Sequence, residues 1–228
     1  MCWNETISLN TFIFSVAVLG FIYYNNTYTQ YKLDEFKSPF MYLFFLSIVG
    51  MQLVEYFLWR AIKENDTKTN NRMSIVGSLL AMSQPITISL LMTDKFWQPI
   101  LTWAYVIFII PFIGMKYIGN TDKFITTVDK KTGNLEWKWF LDFKFEKIQY
   151  FMYWLLVIPS LFYLPKVISW SIVIALIITS IKYAFIDNTR MTWGSKWCWV
   201  LNGIMLYYLI KLMVILPFKD MKTNLFCK

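Results

Sequence analysis

The sequence contains no histidine and only three cysteines among its 228 residues. The absence of histidine excludes His-ligated zinc and haem sites and every nucleophile activated by an imidazole. Cys2, Cys198 and Cys227 are too few and too scattered for a disulfide framework or an iron–sulfur cluster. The chain also lacks a glycine-rich phosphate loop and a pair of carboxylates on one helix. We therefore expect no enzymatic activity and no cofactor.

Charged residues are scarce and hydrophobic residues are in excess. Only 16% of the chain is charged and 57% is hydrophobic, whereas soluble domains average about 25% charged residues. A chain of this size has too much surface to hide that excess in a soluble core. The composition therefore predicts an integral membrane protein whose main partner is the lipid bilayer.

Seven apolar windows are long enough, or nearly so, for the roughly 20 residues that a membrane-spanning helix needs. They cover residues 8–24, 39–62, 73–92, 98–118, 149–164, 167–186 and 198–218. The fifth window is the shortest, and only Pro165 and Lys166 separate it from the sixth, as in a tight turn between antiparallel helices. We predict an all-α integral membrane protein, a seven-transmembrane-helix bundle that forms a single domain over residues 1–228.

The basic residues indicate an orientation for this bundle. Most of the 22 lysines and arginines fall on the side that holds the N-terminus and the loops after the second, fourth and sixth windows. The positive-inside rule then places the N-terminus in the cytoplasm and the C-terminus outside or in a lumen. Because no basic run or compact polar domain is present, we expect no nucleic-acid partner despite the net charge of +8.

The largest extramembrane segment is residues 119–147, after the fourth window. Residues 124–128 and 135–140 alternate in polarity around a turn that contains Gly133, so we predict a small β-hairpin. Its aromatic face, with Trp137 and Trp139, is expected to rest on the membrane interface. The sharper alternative is a platform that binds a protein partner.

Polar residues inside the apolar windows are costly and are therefore functional candidates. Glu55 is the acid deepest inside a window, and Gln52 and Trp59 share its helix face. Gln84 and Pro85 lie in the middle of the third window, where proline leaves a carbonyl without its usual helical donor.

Two more polar residues fall at a similar depth. The predicted topology places Glu55, Lys182 and Asn202 in the cytoplasmic half of the bilayer, so a Glu55–Lys182 pair surrounded by amides is geometrically allowed. Such a cluster either lines a solvated pathway or only joins helices through hydrogen bonds.

Lys211 lies in the middle of the seventh window, the position of the Schiff-base lysine in retinal proteins. A retinal Schiff base needs a nearby carboxylate, and the third window has none. We expect Lys211 to face a cavity or to pair inside the bundle, with a retinal-type chromophore as a minor alternative.

Two cysteines are flanked by tryptophan on the same predicted side of the membrane. Cys2 precedes Trp3, and Cys198 lies between Trp197 and Trp199. We expect aromatic packing of the N-terminus onto the start of the seventh helix, with palmitoylation of Cys2 as an alternative. Two thiolates without further ligands make a poor zinc site, so no metal is expected.

Several motifs resemble a family of uncharacterised multi-pass membrane proteins of giant DNA viruses, algae and protists. The matching segments are Met1-Cys-Trp-Asn-Glu-Thr-Ile-Ser8, Gln52-Leu-Val-Glu55 with Leu58-Trp59, Gln84-Pro85 and Gly194-Ser-Lys-Trp-Cys-Trp199. They occur in the same order and spacing over most of the chain, excepting the hairpin segment. The resemblance implies a polytopic membrane protein, in a host or viral membrane, and no particular activity.

These observations favour a channel, a transporter or a small-ligand-binding bundle for a cation or proton, with a polar site around Glu55. The expected site residues are Glu55, Gln52, Gln84, Lys182, Asn202 and Lys211. The alternative is a membrane scaffold that acts in viral infection and binds partners through the hairpin. The sequence leaves the oligomeric state and the transported species open.

Overall fold

The fold is a helical bundle with one small sheet. A computed structural model describes residues 4–92, 94–117, 123–130, 133–137, 146–182 and 197–226. The helices are α1 (Glu5–Tyr28), α2 (Pro39–Glu64), α3 (Thr67–Ser89), α4 (Trp97–Tyr117), α5 (Glu146–Leu161), α6 (Lys166–Lys182), α7 (Trp197–Ile210) and α8 (Leu216–Phe226), and the strands are β1 (Thr127–Val128) and β2 (Leu135–Glu136). A π-helical segment, Lys211–Ile215, joins α7 and α8 into one rod. The described residues therefore form seven helical rods, and the predicted helical fold with a hairpin after the fourth helix is confirmed.

Three of these helices are long and apolar enough to cross a membrane. Within the described part of the chain they are Glu5–Tyr28, Pro39–Glu64 and Val200–Met221. Shorter apolar stretches, Trp97–Pro111 and Lys166–Ile178, lie in α4 and α6. The three long helices support an integral membrane protein, while the seven-span bundle stays a prediction.

A two-residue connection makes α2 and α3 an antiparallel pair. Asn65 ends α2 in the left-handed conformation, with φ of 54°, which asparagine tolerates better than most residues. The Asp66 carboxylate accepts hydrogen bonds from the backbone N–H groups of Lys68 and Thr69 at 3.1 and 3.0 Å. This cap explains why α3 starts well before the predicted residue 73, since its first turns are polar and escape a search for apolar windows.

Small residues bring α2 and α3 into close contact. A Cβ atom added to Gly50 would lie 3.3 Å from Leu80 Cδ1, closer than ordinary packing allows. Ser47 on α2 and Ser74 and Ser78 on α3 are also buried. Membrane helices use such small side chains to let their backbones approach.

Contacts near both ends of α1 show that α1 and α2 run in opposite directions. The rings of Tyr23 and Tyr42 meet edge to face with centroids 6.0 Å apart. At the other end, Lys63 Nζ lies 3.9 Å from a carboxylate oxygen of Glu5.

The α7–α8 rod runs parallel to α1. The Ser15 hydroxyl donates to Asn202 Oδ1 at 3.1 Å, and further along both helices the Gln30 amide donates to Asp220 Oδ2 at 3.1 Å. Because α2 packs against both rods, the three long apolar helices form one unit.

The connections sort onto two ends of the bundle. Leu33 and Phe36 of the α1–α2 connection share one buried cluster with Ile88 near the end of α3 and with Leu161 and Leu164 at the α5–α6 turn. We call this end of the bundle the upper end. The α2–α3 turn and the hairpin lie at the opposite, lower end. Successive helices therefore alternate in direction, in agreement with the predicted division of the loops between two sides.

The hairpin turn has the geometry that the sequence predicted. Val128 pairs with Leu135 in an antiparallel register, and Gly133 has φ of +68°. The Gly133 N–H donates to the carbonyl of Asp129 at 2.8 Å, which closes the turn. A residue with a side chain would be strained at that φ, so glycine is the residue that this turn requires.

The packing of α2 on α3 predicts that Gly50 is intolerant of a large side chain. Gly50→Leu should lower the free energy of unfolding by about 1–3 kcal/mol, because the side chain must displace Leu80. Gly203→Leu is the matched control, since the space around Gly203 is open and leucine favours the helix. Thermal unfolding of both purified variants in the same detergent measures the difference. Equal melting temperatures would contradict the proposed tight contact.

Candidate functional site

Glu55 and Gln52 are fully buried on α2, each with 0% of its surface exposed. Helical spacing places Gln52 on the stripe of Met41 and Phe45, which packs against α1 and α7. Glu55 lies at the edge of that stripe, next to the face on which Met51 packs toward the hairpin. The carboxyl group therefore lies between two faces of α2, the face that packs on α1 and α7 and the face that packs toward the hairpin.

The Ser15–Asn202 hydrogen bond lies at the same level as Gln52. The antiparallel register of α1 and α2, fixed by the contacts near both ends of α1, places Ser15 opposite Gln52. Glu55 is one turn further toward the lower end, about 4.5 Å along the helix axis. The helix register thus places three predicted site residues, Gln52, Glu55 and Asn202, within about one turn of the same level as Ser15, a residue that no sequence pattern singled out. We call these four residues the polar layer.

Gln84 lies elsewhere, contrary to the predicted grouping with Glu55. The hydroxyl of Tyr153 on α5 donates to Gln84 Oε1 at 2.9 Å. The Gly50–Leu80 contact sets the register of α2 and α3, and it separates Gln84 from the level of Glu55 by roughly 13 Å. Gln84 therefore joins α3 to α5 and is not part of the polar layer.

Pro85 is buried inside α3, which continues past it to Ser89. One turn before it, the carbonyl of Met82 accepts a hydrogen bond from the buried Tyr105 hydroxyl of α4 at 3.0 Å. Polar groups around the proline are therefore paired with neighbouring helices, as expected for proline inside a membrane helix.

Lys211 pairs with a carboxylate that no sequence motif singles out. Its Nζ lies 2.7 Å from Glu35 Oε1, and the two side chains are only 22% and 17% exposed. Glu35 belongs to a short 3-10 helix, Asp34–Phe36, in the α1–α2 connection. Lys211 thus lies at the upper end of α1, away from the polar layer. Which residue of this connection meets the last helix depends on how the helices pack. The sequence therefore indicated only that an acidic residue lies in the connection, not that it pairs with Lys211.

Aromatic rings pack around this ion pair. Phe36 stacks on Phe45 with centroids 5.3 Å apart and meets Tyr208 edge to face at 5.0 Å. Lys211 Nζ lies 5.8 Å from the centre of the Tyr208 ring, within the range of a cation–π interaction. The 3-10 turn is therefore held to α2 and α7 by both packing and charge.

A second acid of the same turn has a separate partner. The Lys37 ammonium lies 2.8 Å from Asp34 Oδ1. Its hydrogen bond and positive charge hold the pKa of Asp34 below its usual value, with a smaller contribution from the charge of Lys211. Asp34 is therefore ionised at neutral pH.

The aromatic face of the hairpin packs against α2 and α3, which corrects the predicted contact with the membrane interface. Phe124 and Leu135 are fully buried and Trp137 nearly so, in one cluster with Met51 and Leu58 of α2. Trp139 lies outside the described residues.

Asparagine side chains on α3 fix the hairpin in place. The Asn70 amide donates to the carbonyl of Thr126 at 2.8 Å and its oxygen accepts from the Thr126 N–H at 2.9 Å. The Asn71 amide donates to the carbonyl of Phe124 at 3.1 Å. These bonds occupy backbone groups that a longer strand would use, so β1 is shorter than the predicted strand 124–128.

The remaining predicted residues are described in part or not at all. Trp59 is partly buried on α2 against the cluster beneath the hairpin. Cys2 and Trp3 lie outside the described residues, as do the side chains of Lys182, Trp197, Cys198 and Trp199. The Glu55–Lys182 pair and the packing of the two cysteine–tryptophan motifs therefore stay predictions. Among the described side chains, no group of three histidine, cysteine, aspartate or glutamate residues could hold a metal ion.

The hairpin contacts predict that Asn70→Ala loosens the hairpin without unfolding the bundle. The substitution removes the hydrogen bonds that Asn70 makes to the buried N–H and carbonyl of Thr126. The loss costs about 1–3 kcal/mol of stability for each group. Trypsin should then cut faster at the exposed Lys123 and Lys130, as measured by mass spectrometry of timed digests. Val76→Ala, at an exposed position of the same helix, is the control. An unchanged cleavage rate in Asn70→Ala would show that the amide does not anchor the hairpin.

Comparison with known protein families, curated proteins and solved structures finds no match to this chain.

Proposed function

We propose that the protein is a seven-span membrane bundle that moves a proton or small cation through a site built on Glu55. One observation carries the proposal: the carboxyl group of Glu55 is fully buried in α2, a candidate membrane-spanning helix. A charged carboxylate in such surroundings is costly unless it takes up a proton or pairs with a cation.

The other members of the polar layer suit a small hard ligand. Gln52, Ser15 and Asn202 supply amide and hydroxyl oxygens at nearly the same level, and oxygen atoms are the donors that hard cations prefer. The same groups can hydrogen-bond a protonated carboxyl group. The proposed site therefore consists of one ionisable group among neutral ligands, which allows binding and release without a permanent buried charge.

Exposed aromatic residues support the membrane placement of the whole bundle. Tyrosine and tryptophan favour the boundary between lipid and water, and four of them are exposed at the upper end, together with Phe96 and Phe162: Tyr23, Tyr24, Tyr28 and Trp97. They lie on or beside the α1–α2, α3–α4 and α5–α6 connections. We propose that these connections face the outside or a lumen, that the hairpin faces the cytoplasm, and that the chain belongs with the viral and protist membrane proteins that it resembles.

A membrane scaffold is the second candidate function. The observation that favours it is the fixed position of the hairpin, which Asn70 and Asn71 hold on α3 as a rigid surface. The aromatic face is buried, so a partner would bind the remaining polar surface. A chromophore function is not proposed: Glu35 would supply the carboxylate that a Schiff base needs, but the Glu35–Lys211 pair lies at the upper end of the bundle and is about a fifth exposed.

Transport predicts that Glu55→Gln abolishes flux while the protein stays folded. Purified protein in phosphatidylcholine liposomes with an internal pH-sensitive dye should carry protons when a potassium diffusion potential is applied. The amide cannot exchange a proton, so flux of the variant should fall to that of protein-free liposomes. Sodium and potassium gradients with ion-selective dyes test the cation alternative in the same way.

Glu64→Gln is the matched control, because Glu64 is on the same helix but exposed and paired with Arg60. Its flux should equal that of the wild type. Gel filtration and melting temperature establish that each variant is folded. Wild-type flux in folded Glu55→Gln would remove Glu55 from the pathway. A wild type that carries neither protons nor cations would overturn the transport proposal and favour the scaffold.

A further inference from the structure

The bundle holds a second ionic site, toward the upper end, whereas Glu55 lies closer to the lower end. The Glu35–Lys211 pair lies at the upper end, between the α1–α2 connection and the last helix. Helices α1, α2 and α7, which contact one another, carry the four residues of the polar layer, and the last rod also carries Lys211. The seam between α2 and α7 runs from this pair, past Phe45 and Tyr208, toward the polar layer.

That region is closed by an aromatic side chain next to the ion pair in sequence. Phe36 is 2% exposed and lies between Phe45 of α2 and Tyr208 of α7. Phe45 is seven residues above Gln52 on α2, or about 10 Å along the helix. Phe36 thus fills the seam between α2 and α7 above the polar layer.

The position of Lys211 in its helix is also unusual. It is the first residue of the π-helical segment Lys211–Ile215. Such segments are rare because they interrupt the regular helix ladder, and they occur often at functional sites. The irregularity lies where the rod contacts Glu35, so the ion pair fixes the least regular part of the rod to the α1–α2 connection.

We propose that the Glu35–Lys211 ion pair is a latch that holds Phe36 as a plug above the polar layer. Release of the pair lets the 3-10 turn Asp34–Phe36 move away and opens the seam between α2 and α7 toward the outside. Glu35 and Phe36 are adjacent in the chain, so a large displacement of the Glu35 carboxylate away from Lys211 also moves the Phe36 ring. The access role rests on the proposed function, whereas the mechanical link between the pair and Phe36 does not.

Hydrogen exchange measured by mass spectrometry tests the latch without any transport assay. The N–H groups of Phe36 and Lys37 donate to the carbonyls of Leu33 and Asp34 at 3.0 and 3.2 Å, so their exchange reports opening of the turn. Lys211→Met in lipid nanodiscs should exchange these amides about tenfold faster, an effect between those of exposed and fully buried ion pairs. Exchange in α3 should not change.

The charge-reversed double variant Glu35→Lys with Lys211→Glu is the matched control. It keeps an ion pair, so it should restore slow exchange, whereas each reversal alone should accelerate it. Equal exchange in the wild type and Lys211→Met would overturn the latch. Failure of the double variant to slow exchange relative to the single reversals, with all variants folded, would also overturn it.

The liposome assay then tests access to the polar layer. Phe36→Ala and Lys211→Met should both raise proton or cation flux, and adding Glu55→Gln to either should abolish it. Fast exchange without flux in any variant would keep the latch and overturn the proposed transport. Wild-type flux that Lys211→Met leaves unchanged, together with unchanged exchange, would overturn the latch and keep transport.

Discussion

Buried polar groups in this bundle must find partners inside the protein, and that requirement organises most of its specific contacts. Lipid tails and apolar side chains offer no hydrogen bonds, so an unpaired polar group there is costly. The Asn70 amide accordingly satisfies the backbone of Thr126, and the Tyr105 hydroxyl reaches the carbonyl of Met82. These bonds join α3 to the hairpin and α3 to α4, so polar pairing adds specific contacts to the non-directional packing of the apolar helices.

The helices themselves follow from the sequence because a long apolar run has few alternatives. The predicted window 39–62 agrees closely with α2, where Ser38 and Pro39 mark the start and Asn65 the end. The last rod continues to Phe226 beyond the predicted residue 218, since its final turns carry charges that an apolar window excludes. Helix ends thus depend on caps and polar turns, which a hydrophobicity pattern does not include.

The candidate site was only partly predictable, for a different reason. Position along a helix is readable from sequence: Glu55, Lys182 and Asn202 were predicted in one half of the bilayer, and the helix register places Asn202 within about one turn of Glu55. The sequence does not show which side chains of different helices meet, because that depends on which helices face each other and in what register. Gln84 was therefore grouped with Glu55 although it bonds Tyr153, and Glu35 was missed although it pairs with Lys211.

The two ionic sites also differ in how far they are closed from solvent. Glu55 is completely buried, whereas the side chains of Glu35 and Lys211 are 17% and 22% exposed. Water can therefore compete for the upper pair at little cost, while the Glu55 carboxyl group stays shielded until packing changes. Trp137 of the hairpin covers the α2 face beside Met51 and Leu58 at the lower end, and Phe36 covers the seam at the upper end. The level of the buried carboxyl group thus lies between the packed rings of Trp137 and Phe36, and polar contacts hold the segments that carry both rings: Asn70 holds the hairpin and Lys211 holds the 3-10 turn.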